Sequence, residues 1–227
     1  MIRNLFCLVV SFAVLISCTE KTDVKTQRVL PIIGDYDIEY HTFDGREVAD
    51  TIFPKVPEFS YLNQDSIVIS SKDLKNKIWI ADFMFTSCPT ICPTMTSNMK
   101  HLSVLTKDLQ DNIQFLSFSI DPKRDKPSVF RKYIKERDLN TINWSFFTGD
   151  EDETSALAHD FFHVGVQRSD DEEDNGFEHT DTFVLVDQDG HVRGLYEGTK
   201  LKEIERLEKD VRKLIEHEYK SAVTKKD

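Results

Sequence analysis

The chain has 227 residues, 39% hydrophobic and 30% charged, with only 8 Gly, 7 Pro and 4 Cys. That make-up excludes collagen-like, low-complexity and disulfide-scaffold proteins and fits one globular domain with an appendage. Lys and Arg number 29 against 40 Asp and Glu, a formal charge of −11, and without a basic patch to oppose that field the sequence argues against nucleic acid as a partner.

Residues 1–17 read as a secretion signal. Arg3 supplies the positive start and Leu5–Ile16 is a nearly unbroken apolar run, too short to span a bilayer as a helix. It ends in Leu15-Ile16-Ser17-Cys18, which resembles the lipobox of bacterial lipoproteins, where cleavage leaves the cysteine first and lipid is attached to its sulfur. Acyl chains on Cys18 would hold the protein to a membrane in the cell envelope, on the periplasmic or extracytoplasmic face; a plain signal peptide with an incidental cysteine is the alternative. Losing Arg3 with the signal takes the net charge from −11 to −12. Residues 18–34 read as a tether, because Thr19–Gln27 is polar and lacks apolar periodicity, and residues 221–227 as a polar tail.

Residues 35–53 read as a hairpin extension, with Tyr36, Ile38, Tyr40, Val48 and Ile52 spaced for strands around an Asp44-Gly45 turn. The main domain is expected over 54–220. Its strand-like runs are Ser66–Ser70, Lys77–Phe85, Ile113–Ile120, Trp144–Phe147, Thr182–Asp187 and His191–Tyr196. Helical spacing appears in Thr94–Leu109, Pro127–Leu139, Asp152–His163 and Leu201–Tyr219, the last with Leu201, Ile204, Leu207, Val211, Leu214 and Ile215 in one stripe. These stripes read as core packing. Strands alternating with helices, and apolar runs such as Ile78–Phe85, predict an α/β sheet covered by helices. The acidic run at 170–174 reads as a solvated loop.

Sorting the four cysteines by fate is informative. Cys7 leaves with the signal and Cys18 carries lipid, so Cys88 and Cys92 remain, four apart, between a buried strand and a helix. In α/β sheets such junctions hold ligands. Pro93 suits the first helical position, which makes Cys92 the N-cap and predicts a depressed thiol pKa at the positive end of the helix. Two thiolates are soft donors suited to Cu(I) or zinc. His179, just before the Thr182–Asp187 strand, is the best-placed third ligand. His159 and His163, spaced i, i+4, read as packing or surface residues, and His41, His101, His191 and His217 have no partner pattern. A structural disulfide closing so short a loop gains little, which weakens that alternative.

Three blocks together resemble the Sco/SenC family. They are Phe83-x-Phe85-Thr86-x-Cys88-Pro89-x-x-Cys92-Pro93, then Ser119-Ile120-Asp121-Pro122-x-x-Asp125-x-Pro127, then His179 ahead of Phe183-Val184-Leu185-Val186-Asp187-x-Asp189-Gly190. The resemblance covers residues 55–215. It implies a thioredoxin-like three-layer fold with a central mixed sheet, to which the hairpin adds an N-terminal extension. It implies a membrane-tethered protein that binds Cu(I) or Cu(II) through Cys88, Cys92 and His179. The implied partners are cytochrome c oxidase subunit II, whose dinuclear CuA centre the family helps to build, with a copper donor protein and a thiol reductant. Asp121 is implied either to support the ligands or bind weakly; capping the turn into the next helix is its plainer role. The lipid-type anchor, the hairpin and the 170–174 loop depart from many relatives.

Two functions compete. One is copper delivery by ligand exchange. The other is thiol–disulfide exchange, in which Cys88 or Cys92 attacks a disulfide in the oxidase subunit. Three residues separate the cysteines where thioredoxin-like reductases carry two, and Asp181 stands where those reductases carry a cis-proline; both favour copper. A peroxidase pattern is absent, because neither cysteine has its Pro and Thr. Zinc storage stays open, since two Cys and one His do not select a metal by ligand type alone.

Overall fold

The computed structural model describes residues 28–168 and 177–219, except for the side chains of 167, 168 and 177–179. The signal, Cys18 and the residues up to 27, the 170–174 run and the 221–227 tail lie outside the described residues.

A hairpin comes first, from β1 (Asp37–Phe43) and β2 (Arg46–Ile52). Its turn forms at Asp44-Gly45, both with positive φ (49° and 72°), the conformation that matches the twist of flanking strands. Every residue of both strands is exposed.

The remaining strands are β3 (Ser60–Asn63), β4 (Val68–Ser70), β5 (Ile78–Met84), β6 (Ile113–Ser119), β7 (Trp144–Thr148), β8 (Val166–Arg168), β9 (Phe177–His179), β10 (Thr182–Val186) and β11 (Val192–Glu197). Seven of them form one mixed sheet in the order β11-β10-β5-β6-β7-β3-β4. The central β5, β6 and β7 are parallel, flanked by antiparallel pairings of β10 with β5 and of β3 with β7. All seven residues of β5 are buried, as a strand covered on both faces requires. β8 and β9 form a separate pair, with Val166 opposite His179. The sequence reading did not contain β3, whose four residues are too few to show a period.

The helices are α1 (Cys92–Leu105), α2 (Pro127–Glu136), α3 (Glu151–Ala156) and α4 (Leu201–Leu214). On one face of the sheet, Phe115, Trp144 and Phe146 pack in series, and Phe146 meets Phe130 and Tyr133 of α2. Tyr133 in turn shares a 2.7 Å hydroxyl hydrogen bond with Thr96 of α1. The other face carries an aromatic cluster in which Phe118 touches Phe59, Tyr61, Phe83, Phe147 and Phe162. The predicted α4 stripe is buried at Ile204, Leu207, Val211 and Leu214, while Leu201 is exposed. Asp210, buried among them, accepts a hydrogen bond from the Tyr196 hydroxyl at 3.1 Å.

Residues 28–34, within the stretch read as a tether, run along the domain. Val29, Leu30 and Ile33 pack against the core, and the Ile33 N–H bonds to Val192 O at 2.8 Å. Arg193, 3% exposed, donates to the carbonyls of Leu30 and Pro31 at 2.7 and 3.0 Å. A buried guanidinium with empty donors is costly, and here the N-terminal chain fills them. Residues 28–34 are therefore part of the folded domain and not tether. Nearby, Val56 N–H bonds to Gly190 O at 2.8 Å, in the turn where Gly190 takes φ 87°. Val192 pairs with Val186 and Val186 with Trp79, so the chain enters at the N-terminal end of β5.

Candidate metal centre

The opposite end of β5 leads into the cysteine turn. After Met84 the strand pairing stops, and residues 85–91 cross to α1. Cys88 N–H donates to Phe85 O at 3.2 Å, and the Cys88 sulfur lies 3.5 Å from the Thr90 hydroxyl. Cys88 and Cys92 are 6% and 1% exposed and both are free thiols.

Two expectations for Cys92 are corrected. Ile91, not Cys92, is the N-cap of α1, and Pro93 follows as the second helical residue. The Cys92 thiol is held far above the ordinary cysteine value, not below it. The largest cause is its hydrogen bond with Cys88; burial adds to it, as do the nearby Cys88 and Asp82 charges, and only the Phe85 backbone N–H opposes. A sulfur inside the first turn faces a second sulfur and apolar core, and both favour the neutral thiol.

Asp82 is a residue whose part the sequence reading missed. It is 2% exposed and accepts from the Ser117 hydroxyl at 2.6 Å, which itself accepts from Trp144 Nε1 at 2.9 Å. An acidic residue within the apolar Ile78–Phe85 run was the available signal.

Asp121 is buried at the end of β6. It does not cap α2, whose N-cap is Lys126. Its carbonyl accepts the Asp125 N–H at 2.9 Å, and its carboxylate pairs with Arg124 Nε at 3.5 Å. Arg124 also donates to the Ser87 hydroxyl at 2.6 Å, which ties Asp121 to the residue beside Cys88. Asp125 reaches the turn directly: its carboxylate accepts from Thr86 N–H at 3.0 Å and Thr86 Oγ1 at 2.5 Å.

His179 ends β9, three residues ahead of β10. β10 runs antiparallel to β5, with Val184 opposite Ala81, so the chain before Thr182 lies at the end of the sheet that carries the cysteine turn. The His179 side chain lies outside the described ones. Among the described residues no group of three His, Cys, Asp or Glu side chains is gathered to hold a metal. α3 proper ends at Ala156 and a wider π turn covers Leu157–Phe161, so His163, at φ 57°, is off the helix that the i, i+4 spacing presumed. His159 pairs with Asp160 at 3.1 Å, and His191 Nδ1 lies 2.7 Å from Pro54 O.

A mixed sheet with a dithiol turn between its central strand and the following helix defines a thioredoxin-like protein built around two cysteines. The SCO1/SenC family profile matches residues 50–216; the chain belongs to that family. It is 35% identical to the SCO1 protein homolog of Bacillus subtilis over 157 residues, which cover 69% of this chain and 80% of that protein. The fold matches a SCO1/SenC family lipoprotein of Bacillus anthracis with a TM-score of 0.65 at 36% identity, covering 70% of this chain and 94% of that one. Bradyrhizobium japonicum ScoI, solved with copper bound, shares the fold with a TM-score of 0.58 at 20% identity, covering 69% of this chain and 99% of that one. No helix among the described residues is long and apolar enough to cross a membrane.

Proposed function

We propose that this protein is an extracytoplasmic copper metallochaperone, anchored by lipid on Cys18, that delivers copper to the CuA site of cytochrome c oxidase subunit II or prepares that site. The observation that carries the reading is the pair of buried, reduced cysteines joined by a hydrogen bond at the strand-to-helix turn. Copper is the cargo. Two sulfurs give a soft donor set that suits Cu(I), and the His179 imidazole is the third ligand. Cys88 is the more exposed of the two thiols, which makes it the sulfur that a partner's ligand meets first during exchange. The chain enters the domain at the end of the sheet opposite the turn, so an anchor on Cys18 leaves the turn free to face a partner.

The test is a competition titration of the reduced soluble protein, residues 19–227, with Cu(I) against a chromophoric chelator. One equivalent binds, and His179→Ala lowers affinity by at least about 1.4 kcal/mol, a tenfold change. Unchanged affinity in His179→Ala would sink the three-ligand site.

The hydrogen-bonded cysteines also favour a second reading, reduction of the CuA cysteines by thiol–disulfide exchange. A disulfide-reduction assay on the same variant separates the two. Exchange needs no imidazole, so His179→Ala that loses copper but reduces a peptide disulfide at the wild-type rate assigns the dithiol an independent redox activity.

A further inference from the structure

We propose that Asp125 is a positioning residue for the cysteine turn, acting through Thr86 to fix the two sulfurs where copper meets them. The inference rests on the copper reading above. Asp125 is fully buried, at 0% exposure. Its Oδ2 accepts from Thr86 N–H at 3.0 Å and from the Ser119 hydroxyl at 2.7 Å, and its Oδ1 accepts from Thr86 Oγ1 at 2.5 Å. All three donors are neutral. Burial raises the carboxyl pKa, against the hydrogen bonds from Thr86 and Ser119. A buried carboxylate is expensive to keep where a neutral side chain would fill the same space; what it supplies is two oxygens that accept at once.

The donors show what that arrangement holds. Thr86 lies two residues beyond Met84, the last paired residue of β5, so the strand ladder provides no acceptor for its N–H, and Asp125 does. The residue before it, Phe85, carries both cysteines. Its carbonyl accepts the Cys88 N–H at 3.2 Å, and its N–H bonds to the Cys92 sulfur. Pinning Thr86 therefore pins its neighbour Phe85, whose backbone groups hold the Cys88 N–H and the Cys92 sulfur. Ser119 ends β6, and its hydroxyl also accepts the Asp121 N–H at 3.1 Å, so the support is built on the sheet.

An asparagine at 125 would accept on one oxygen only and turn an amide N–H₂ toward donors. Groups that orient metal ligands from outside typically change affinity by about 10–100-fold when mutated. Asp125→Asn is therefore expected to fold, by circular dichroism, and to lower Cu(I) affinity by at least about tenfold in the chelator competition, with a displaced sulfur-to-copper charge-transfer band after loading with Cu(II). Thr86→Val is expected to produce the same loss, Thr86→Ser to retain wild-type affinity, and the Asp125→Asn/Thr86→Val double variant to be no worse than either single change, because all act through one contact.

A folded Asp125→Asn or Thr86→Val protein with wild-type affinity and spectrum overturns the proposal, even if its unfolding midpoint falls. If Asp125→Asn does not fold, the Thr86 pair decides. Wild type is titrated in parallel; if it binds no copper, the copper reading fails separately. Positioning is then judged by the Cys88–Cys92 disulfide potential, which must shift in Thr86→Val but not in Thr86→Ser for the proposal to stand.

Discussion

Arg193 donates to both carboxylate oxygens of Glu218, from Nη2 at 2.7 Å and Nη1 at 2.8 Å. Nη1 also reaches Asp187 at 2.8 Å, and Glu218 accepts the Val29 N–H at 2.8 Å. One guanidinium thus joins β11, the turn before it, the segment after α4 and the incoming N-terminal chain. Planar, bidentate geometry suits arginine for this and lysine could not replace it.

Arg193→Met should be strongly destabilising. It leaves the Asp187 and Glu218 carboxylates without their cation and frees the Leu30 and Pro31 carbonyls, and breaking one side of a buried ion pair typically costs about 3–5 kcal/mol. Urea denaturation of the 19–227 protein checks this; a loss below about 1 kcal/mol would place the pair in the surface class.

Acid should release the N-terminal segment. Burial alone would raise the Glu218 pKa, but hydrogen bonds from Arg193 and Val29 together hold it below the ordinary glutamate value of 4.5. A depressed carboxylate pKa contributes stability that is present above the unfolded value and lost as pH falls through the folded one. Protection of the Val29 amide against hydrogen exchange, relative to its intrinsic rate at each pH, should therefore hold at neutral pH and fall only below about pH 4.5. Protection unchanged down to the global acid transition would contradict this.

Copper loading should release protons and tighten with pH. The Cys92 thiol is protonated at neutral pH, its pKa raised by Cys88 and by burial, and it must ionise to bind metal. Each proton displaced makes apparent affinity rise about tenfold per pH unit. Isothermal titrations in buffers of different ionisation enthalpy count the protons; a pH-independent affinity would mean that both cysteines are already thiolates.

Removing the hairpin should leave the domain intact. No residue of Ile38–Thr51 is buried, so replacing that stretch with Gly-Gly should shift unfolding free energy by no more than about 0.5 kcal/mol, with Cu(I) affinity unchanged. A larger loss would mean that the hairpin supports the core.

Mass spectrometry of membrane-extracted protein should find the mature chain beginning at a lipidated Cys18. An unmodified N-terminus elsewhere would refute the anchor.

Local chemistry made much of this protein legible in the sequence. The two-residue period of the hairpin, the Asp44-Gly45 turn, the apolar run of β5 and the 3.6-residue stripe of α4 all depend on neighbours a few positions away. The spacing of Cys88 and Cys92 at a strand-to-helix junction did so too. What the tertiary structure decided depends on groups far apart in the chain. Arg193 draws residues 28–34 onto the sheet across more than 160 positions. β3 takes its place beside β7 through Leu62 and Asn63. Asp125, not Asp121, meets the turn because β5 and β6 are parallel neighbours whose ends lie side by side. For Cys92, proximity to a helix N-terminus predicted a low pKa, while the packed core and the second sulfur raise it. Desolvation and long-range hydrogen bonds follow from which surfaces the sheet order buries together, which periodicity along the chain does not specify.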